Sequence, residues 1–398
     1  MIHKEKQAHL YSIPLYYLKF ILKRIFKINI TPFKIAPFDQ YKAELLEFDF
    51  GKKNKVKSFR PENHNDLSPY HSSVFHIKEK LNDSKVRVLN NHKLTVYGLE
   101  GIVANRNGEI LIDHYYGNSF NSDKIKKTGY ISRKYHVQYM MGEILIPKKT
   151  IDIDKAVIVT TQWSENYYHW FNYVLPKLKA IDALNLNTRN VVINKLRYNF
   201  QKESLRLLFP HVNLIETEKN QKIIVDDAYL PETSPAVPQK RLYLKNKIHD
   251  DNSKRDVKLY ISRQKSRNRK LINHEEALKI LEKFGFKEVY FENVSFEDQI
   301  ELINSAKIIV SPHGAGLNNL MFAKNNPTLI ELLPYRRVHT YKHYFKLSAS
   351  LNLKYYCLID SKKRYFRNRK NIHVDLLKLE KLLTDLTIGE KKFRYDGV

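Results

Sequence analysis

Apolar and polar positions along the chain change rhythm several times, and each change predicts a different kind of structure. Between about Lys85 and Ile146, short alternating runs are broken by glycine: Val86-Arg-Val-Leu, Leu94-Thr-Val-Tyr, Gly101-Ile-Val-Ala and Glu109-Ile-Leu-Ile-Asp. Period-two alternation marks half-buried strands, and Asn107-Gly108 between two such runs is a hairpin signal. A small β-rich region with structural duties is expected over 41–150. From Ala156 the apolar runs become continuous and alternate with helical spacing. Strands are predicted at 156–160, 191–193 and 223–230, and helices at 168–184 and 200–208. Strands alternating with helices imply right-handed βαβ units and a parallel sheet, here over 151–230.

Three prolines within Pro231-Glu-Thr-Ser-Pro-Ala-Val-Pro, followed by a charged stretch, mark 231–256 as the expected linker. The βα rhythm then restarts and fills 257–398. Strands are predicted at 257–262, 289–291, 306–310, 328–334 and 355–359. Helices follow a capping-box pattern at Asn273 with Glu276 and another at Ser295 with Asp298, with further helices at 341–351 and 374–386. The run Ile308-Ile-Val310 has the β-branched continuity of a parallel strand covered on both faces. It leads directly into Ser311-Pro-His-Gly-Ala-Gly-Leu-Asn-Asn, a strand–turn–helix pattern in which Leu317 to Met321 form the first helical turn. Gly314 and Gly316 are expected to take positive φ and to let an anion approach free N–H groups, most simply those of a diphosphate site. Two α/β domains joined by a linker would place a ligand cleft at the carboxyl ends of both sheets.

At the other end of the chain, Leu15, Leu18, Leu22, Ile25 and Phe26 share helical spacing, while Lys19, Lys23 and Lys27 recur on another face. This predicts a basic amphipathic helix within 1–40 that lies on a membrane surface. The interspersed lysines prevent it from spanning a bilayer.

Charge strengthens that expectation. Lys and Arg number 69 against 42 Asp and Glu, a formal net charge of +27. Anionic partners are therefore expected: an acidic leaflet, an acidic glycan or nucleic acid. The basic residues are dispersed, and no helix-turn-helix, zinc-finger or aromatic RNA-sheet pattern is present, so specific nucleic-acid recognition is not expected. The mixed composition excludes a fibrous or low-complexity chain. The single cysteine, Cys357, rules out an internal disulfide and fits a reducing, cytoplasmic compartment, with peripheral attachment to the inner face of the membrane.

Three constellations can carry chemistry. In Trp163-Ser-Glu-Asn-Tyr-Tyr-His-Trp, Glu165 and His169 are four apart and would share one helical face, so either can take a proton from a hydroxyl. In Ser262-Arg-Gln-Lys-Ser-Arg-Asn-Arg-Lys, Arg263 stands at a strand end, where a guanidinium grips phosphate. Lys265, Arg267, Arg269 and Lys270 mainly add to the field there. The third is the glycine turn with His313, joined by Glu331 on the next strand, a carboxylate placed to accept ribose hydroxyls.

Taken together, Asn166-Tyr-Tyr-His-Trp with Leu175-Pro-Lys, Tyr260-Ile-Ser-Arg, and Ser311-Pro-His-Gly-Ala-Gly-Leu-Asn-Asn with Ile330-Glu-Leu-Leu-Pro resemble glycosyltransferase family 61. Bacterial members of that family are often labelled capsular polysaccharide biosynthesis proteins. The resemblance covers roughly 85–358. It implies a GT-B-like fold of two Rossmann-like domains facing a cleft, and an inverting transfer from a nucleotide-activated sugar to a glycan or lipid-linked glycan acceptor. It carries Arg263, His313, Gly314, Gly316, Asn318 and Glu331 over as donor-site residues, with Ala315, Leu317, Lys265 and Arg267 beside them. His169 is carried over as the central active-site residue. One departure stands out: the family pattern has a carboxylate four residues after the histidine, where this chain has Tyr173. Glu165 and His169 are therefore both candidate bases.

A UDP-sugar is the expected donor. No Asp-x-Asp dyad follows a strand at the corresponding place, so no metal or other cofactor is assigned. Two alternatives use the same cations: a sugar- or polyol-phosphate transferase, whose product would contain phosphorus, and a non-catalytic polyanion binder, which would not depend on His169.

Overall fold

The computed structural model describes residues 35–37, 45–49, 54–56, 59–67, 75, 80–82, 85–99, 101–112, 149–161, 163–232, 238–248, 256–335, 342–360 and 371–395. The amphipathic helix expected at 15–28 lies outside these residues. The chain forms two compact units. One comprises Met1–Asp49, Lys85–Arg197 and His211–Pro235; the other comprises Phe50–Ser84, Tyr198–Pro210 and Ala236–Val398.

Among the described residues the first unit holds a nine-stranded sheet. Four of its strands are parallel and lie in the order Asn213–Glu216, Asn190–Ile193, Lys149–Ile158, Gln221–Pro231. In chain order this is 3-2-1-4, the arrangement of half of a doubly wound sheet. Gln221–Pro231 would leave a long unpaired edge, a liability in any sheet. That edge is covered by the antiparallel strand Lys85–Tyr97, which sets Val96 against Ile223, Leu94 against Val225 and Leu89 against Leu230. Leu45–Asp49 and Ile102–Ala104 pair with Lys85–Tyr97, and Ile110–Ile112 and Ile35–Pro37 continue the sheet. The strands of the expected β-rich region and of the first α/β region therefore share one sheet and one core. That core includes Leu89, Leu94, Val96, Ala156, Ile158, Val192, Ile223 and Val225.

The hairpin turn expected at Asn107-Gly108 is present. Asn105 Oδ1 accepts from the N–H groups of Asn107 and Glu109 at 3.0 and 2.9 Å, and Gly108 has φ 74°.

The second unit holds five parallel strands in the order Phe286–Val289, Val257–Ile261, Ala306–Pro312, Thr328–Leu333, Tyr355–Ile359. The chain order is 2-1-3-4-5. Its topological switch point, where open α/β sheets bind ligands, lies between Val257–Ile261 and Ala306–Pro312. Tyr260, Val310, Ile330, Leu332 and Leu281 form its core.

Capping divides the two predicted helix starts. Ser295 Oγ accepts from Asp298 N–H at 3.1 Å and opens Phe296–Ser305, as the sequence pattern predicts. Asn273 makes no such cap for His274–Lys283. Its amide donates to Val374 O at 2.9 Å and its carbonyl accepts from Val374 N–H at 3.1 Å, so it fastens the approach to the last helix instead.

Two other pieces of this unit come from distant sequence. Helix Asn199–Leu208 supplies Glu203, which accepts from Phe296 N–H at 2.7 Å and satisfies a donor left open at that helix start. Asn63 lies along the outer strand: its amide donates to Cys357 O at 2.9 Å, and its carbonyl accepts from Cys357 N–H at 3.2 Å.

Within the expected linker, Pro238–Lys245 is a helix. Pro238 suits its first position, where no N–H partner is needed. Leu244 is fully buried, Arg241 donates to Ser350 Oγ at 3.0 Å and Lys245 donates to Ala323 O at 2.7 Å. A buried apolar side chain and two directed cations make this part of the second unit's packing.

Leu332 is fully buried between Tyr260, Val310 and Ile330. Leu332→Ala is expected to destabilise the protein by about 2–5 kcal/mol, read as a lowered midpoint in urea denaturation.

Candidate functional site

In the second unit, the strands flanking the switch point end in the residues that the sequence singles out. Arg263 follows Val257–Ile261, and His313 follows Ala306–Pro312. His313 N–H donates to Leu332 O at 2.9 Å, which carries the strand pairing one residue further and fixes the backbone of the turn. The imidazole is buried, with Nδ1 2.5 Å from Glu331 Oε1. The other Glu331 oxygen accepts from the Tyr355 hydroxyl at 2.6 Å.

Glu331 is fully buried, and both of its oxygens are engaged. This corrects the expectation that it accepts ribose hydroxyls. Its side chain is held in the interior by His313 and Tyr355.

The glycines also act differently from expectation. Gly314 has φ −171°, an extended value open to any residue, and neither Gly314 nor Gly316 has positive φ. What they provide is close approach. A Cβ on Gly314 would collide with the Arg263 guanidinium, and one on Gly316 would lie 3.1 Å from the Phe291 ring.

Arg263 therefore lies flat across the turn, where its Nη2 donates to Asn268 O at 3.2 Å. Its Nε is buried and has no hydrogen-bond partner among the described residues. Burial, followed by repulsion from the Arg269 guanidinium, pulls its pKa down to about 10. Burial also lowers the His313 pKa; Glu331 opposes that shift, and Arg269 and Arg263 add to it. Three cationic or potentially cationic side chains thus crowd the switch point. Such crowding fits an anion that neutralises them.

The remaining predicted residues divide. Ala315 and Gly316 open a 3₁₀ stretch, Ala315–Phe322, in place of the expected α-helical turn. Leu317 belongs to the core, and its N–H donates to Gly314 O at 3.1 Å, so it is not an anion donor. Asn318 is buried with its amide toward Met321 Sδ at 3.6 Å. Lys265 is exposed over the Tyr290 ring, and Arg267 is exposed.

Sequence reasoning underrated Arg269 and missed Tyr355 and Tyr344. Arg269 takes φ 62°, a left-handed conformation rare for such a residue, and acts on both Arg263 and His313. Tyr344 lies 5.0 Å, ring to ring, from His313. Within apolar runs these tyrosines read as core material.

In the first unit, His169 ends the short helix Tyr167–His169, whose cap residue, Asn166, accepts from His169 N–H at 3.3 Å. Glu165 precedes this cap. It therefore shares no helical face with His169, and its carboxylate pairs with Arg197 at 2.7 Å. Beyond His169 the chain widens into a π-helical turn, Trp170–Val174, closed by Leu175 N–H donating to Trp170 O. Pro176 explains the widening. It lacks the N–H that an α-helix would donate to Asn172, and its ring crowds that carbonyl.

The turn brings Tyr173 against His169, stacked at 5.2 Å, and Trp163 stacks at 5.6 Å. Within this aromatic box the His169 Nδ1 is buried and has no hydrogen-bond partner among the described residues. Burial lowers the His169 pKa to about 4. No group of three or more His, Cys, Asp or Glu with metal-holding geometry occurs among the described residues.

The comparison with known families bears on both the cationic switch point of one unit and the desolvated histidine of the other. Residues 167–330 match the family Glycosyltransferase 61. This segment contains His169, Arg263 and the turn 313–318, while Glu331 lies one residue beyond it. Among curated proteins, alpha-1,3-arabinosyltransferase XAT2 of Oryza sativa subsp. japonica is 35% identical over 81 residues, which cover 19% of this chain and 13% of that protein. Alpha-1,3-arabinosyltransferase XAT3 of the same plant is 35% identical over 75 residues, covering 18% and 13%. The matches thus span about an eighth of the length of each relative.

In an NMR titration the His169 ring is expected to stay neutral down to about pH 4. Trp163→Ala uncovers one face to water, relieves desolvation of the charged form and moves the midpoint up toward the ordinary value near 6.5.

Proposed function

We propose that the chain is an inverting glycosyltransferase that moves a sugar from a nucleotide-activated donor, a UDP-sugar, onto a hydroxyl of a cell-surface glycan of capsular or lipopolysaccharide type. The observation that carries the donor reading is the Arg263 guanidinium lying across Gly314 at the switch point, with Arg269 and His313 beside it. A diphosphate supplies the charge this cluster lacks, and guanidinium forks suit its oxygens. The match of 167–330 to Glycosyltransferase 61 supports the same reading.

His169 is the base. Its burial keeps the ring neutral and able to accept a proton, whereas Glu165 is occupied by Arg197. The acceptor hydroxyl loses its proton to His169, and its oxygen attacks the anomeric carbon from the face opposite the diphosphate. The bond from that carbon to the diphosphate oxygen breaks, with the electron pair passing to the oxygen. Arg263 and the first N–H groups of the turn stabilise that growing charge. Trp163, exposed beside His169, offers a face on which a sugar ring can stack. The net charge of +27 and the basic segment at 15–28 support attachment to an anionic inner leaflet, where lipid-linked acceptors are presented.

Calorimetry against a panel of nucleotide sugars, paired with a product assay, tests this. Arg263→Ala and His313→Ala are expected to weaken donor binding roughly 10- to 100-fold, as loss of a charged hydrogen bond would. His169→Ala should keep donor binding and lose transfer about 100- to 10,000-fold. Donor affinity in the first two variants equal to that of the parent would sink the donor assignment. Undiminished transfer by the third would sink the base.

A further inference from the structure

Glu331 is too deep to touch a substrate, yet it is held with more care than a filler residue needs. Tyr355 donates to one of its oxygens at 2.6 Å, and His313 Nδ1 meets the other at 2.5 Å. The three side chains come from the ends or interiors of three adjacent strands, so backbone pairing fixes their spacing. A carboxylate on Nδ1 sets the imidazole's tautomer and orientation and turns Nε2 to the opposite side of the ring.

Arg263 and Arg269, from the loop after Val257–Ile261, Glu331, from Thr328–Leu333, and His343 and Tyr344, from the start of His343–Leu351, face His313. Tyr355 and Cys357, from Tyr355–Ile359, lie against Glu331 in turn. Burial, reinforced by the Glu331 charge, holds the Tyr355 hydroxyl and the Cys357 thiol in their neutral forms. With a neutral imidazole, the two guanidiniums face two carboxylates, Glu331 on His313 and Glu292 on Arg263. A sugar diphosphate adds negative charge beside the ring, which favours its protonated form.

We propose that Glu331 is a positioning residue that lets His313 take up a proton as the donor diphosphate binds, so that Nε2 presents an N–H to the departing diphosphate oxygen. This rests on the donor reading above and adds to it a proton from solvent, taken up in the binding step and delivered to the leaving oxygen as the glycosidic bond to the diphosphate breaks. Glu331 acts only through His313. The Tyr355 hydrogen bond keeps its carboxylate in place.

The test is calorimetry of the full chain with UDP-sugars, in pairs of buffers that differ in ionisation enthalpy, between pH 7 and 8. A sugar diphosphate has no phosphate group that titrates in this range, so the proton count reports the protein. The parent is expected to take up about one proton per donor bound, and its affinity should fall as pH rises. Glu331→Gln and His313→Gln should bind at least about tenfold more weakly with proton uptake near zero, while Glu331→Asp should restore part of both. Saturable donor binding by the parent with no proton exchange overturns the inference and leaves the donor site standing. The proton count of the parent requires no variant to fold. Unchanged uptake in a folded Glu331→Gln protein overturns the inference as well. If no nucleotide sugar binds the parent, the donor reading falls and takes this inference with it.

Discussion

A carboxylate buried without partners would cost several kcal/mol and would protonate or unfold its surroundings. Glu331 is fully buried on the strand next to one edge of a five-stranded sheet, and its environment has been built around it. Its hydrogen bonds run to His313 at the end of one neighbouring strand and to Tyr355 in the other. The three strands must therefore keep their register for the charge to remain satisfied. The switch-point turn inherits that constraint, because His313 begins it and Gly314, next in the chain, carries the Arg263 guanidinium. The position of the cationic cluster thus follows from one interior ion as much as from surface residues.

Much of the second unit was legible in the sequence because its strands are continuous apolar runs and its turn has a distinctive spelling. Ile308-Ile-Val310 announced the central strand, and Ser295 with Asp298 announced a helix start that formed as read. Side-chain direction within those elements was not legible. Glu331 was placed in the right segment and given the wrong exposure, since periodicity in a doubly covered strand does not say which face holds a charge. The glycines were identified, but for the wrong reason. Spacing revealed a tight place and could not distinguish a left-handed backbone from a side chain lying across it.

Around His169, helical periodicity suggested one continuous helix. The chain instead changes pitch there, because Pro176 removes a donor several residues downstream of the histidine. The expected pairing of Glu165 with His169 depended on the helix starting earlier than Asn166, and the cap at Asn166 decides against it. The aromatic residues of this segment looked like ordinary core material. Their stacking on the imidazole is a tertiary fact that no linear pattern encodes.

The Asn63 contact with Cys357 bears on how the chain is made. The two residues are 294 positions apart, so the edge of the second sheet is sealed by a segment made long before the strand it covers. Together with Glu203, whose helix caps Phe296–Ser305, it makes the second unit a late assembly of three separated stretches. A fragment beginning at Ala236 would lack both, and its Tyr355–Ile359 strand would present bare N–H and C=O groups to the next molecule.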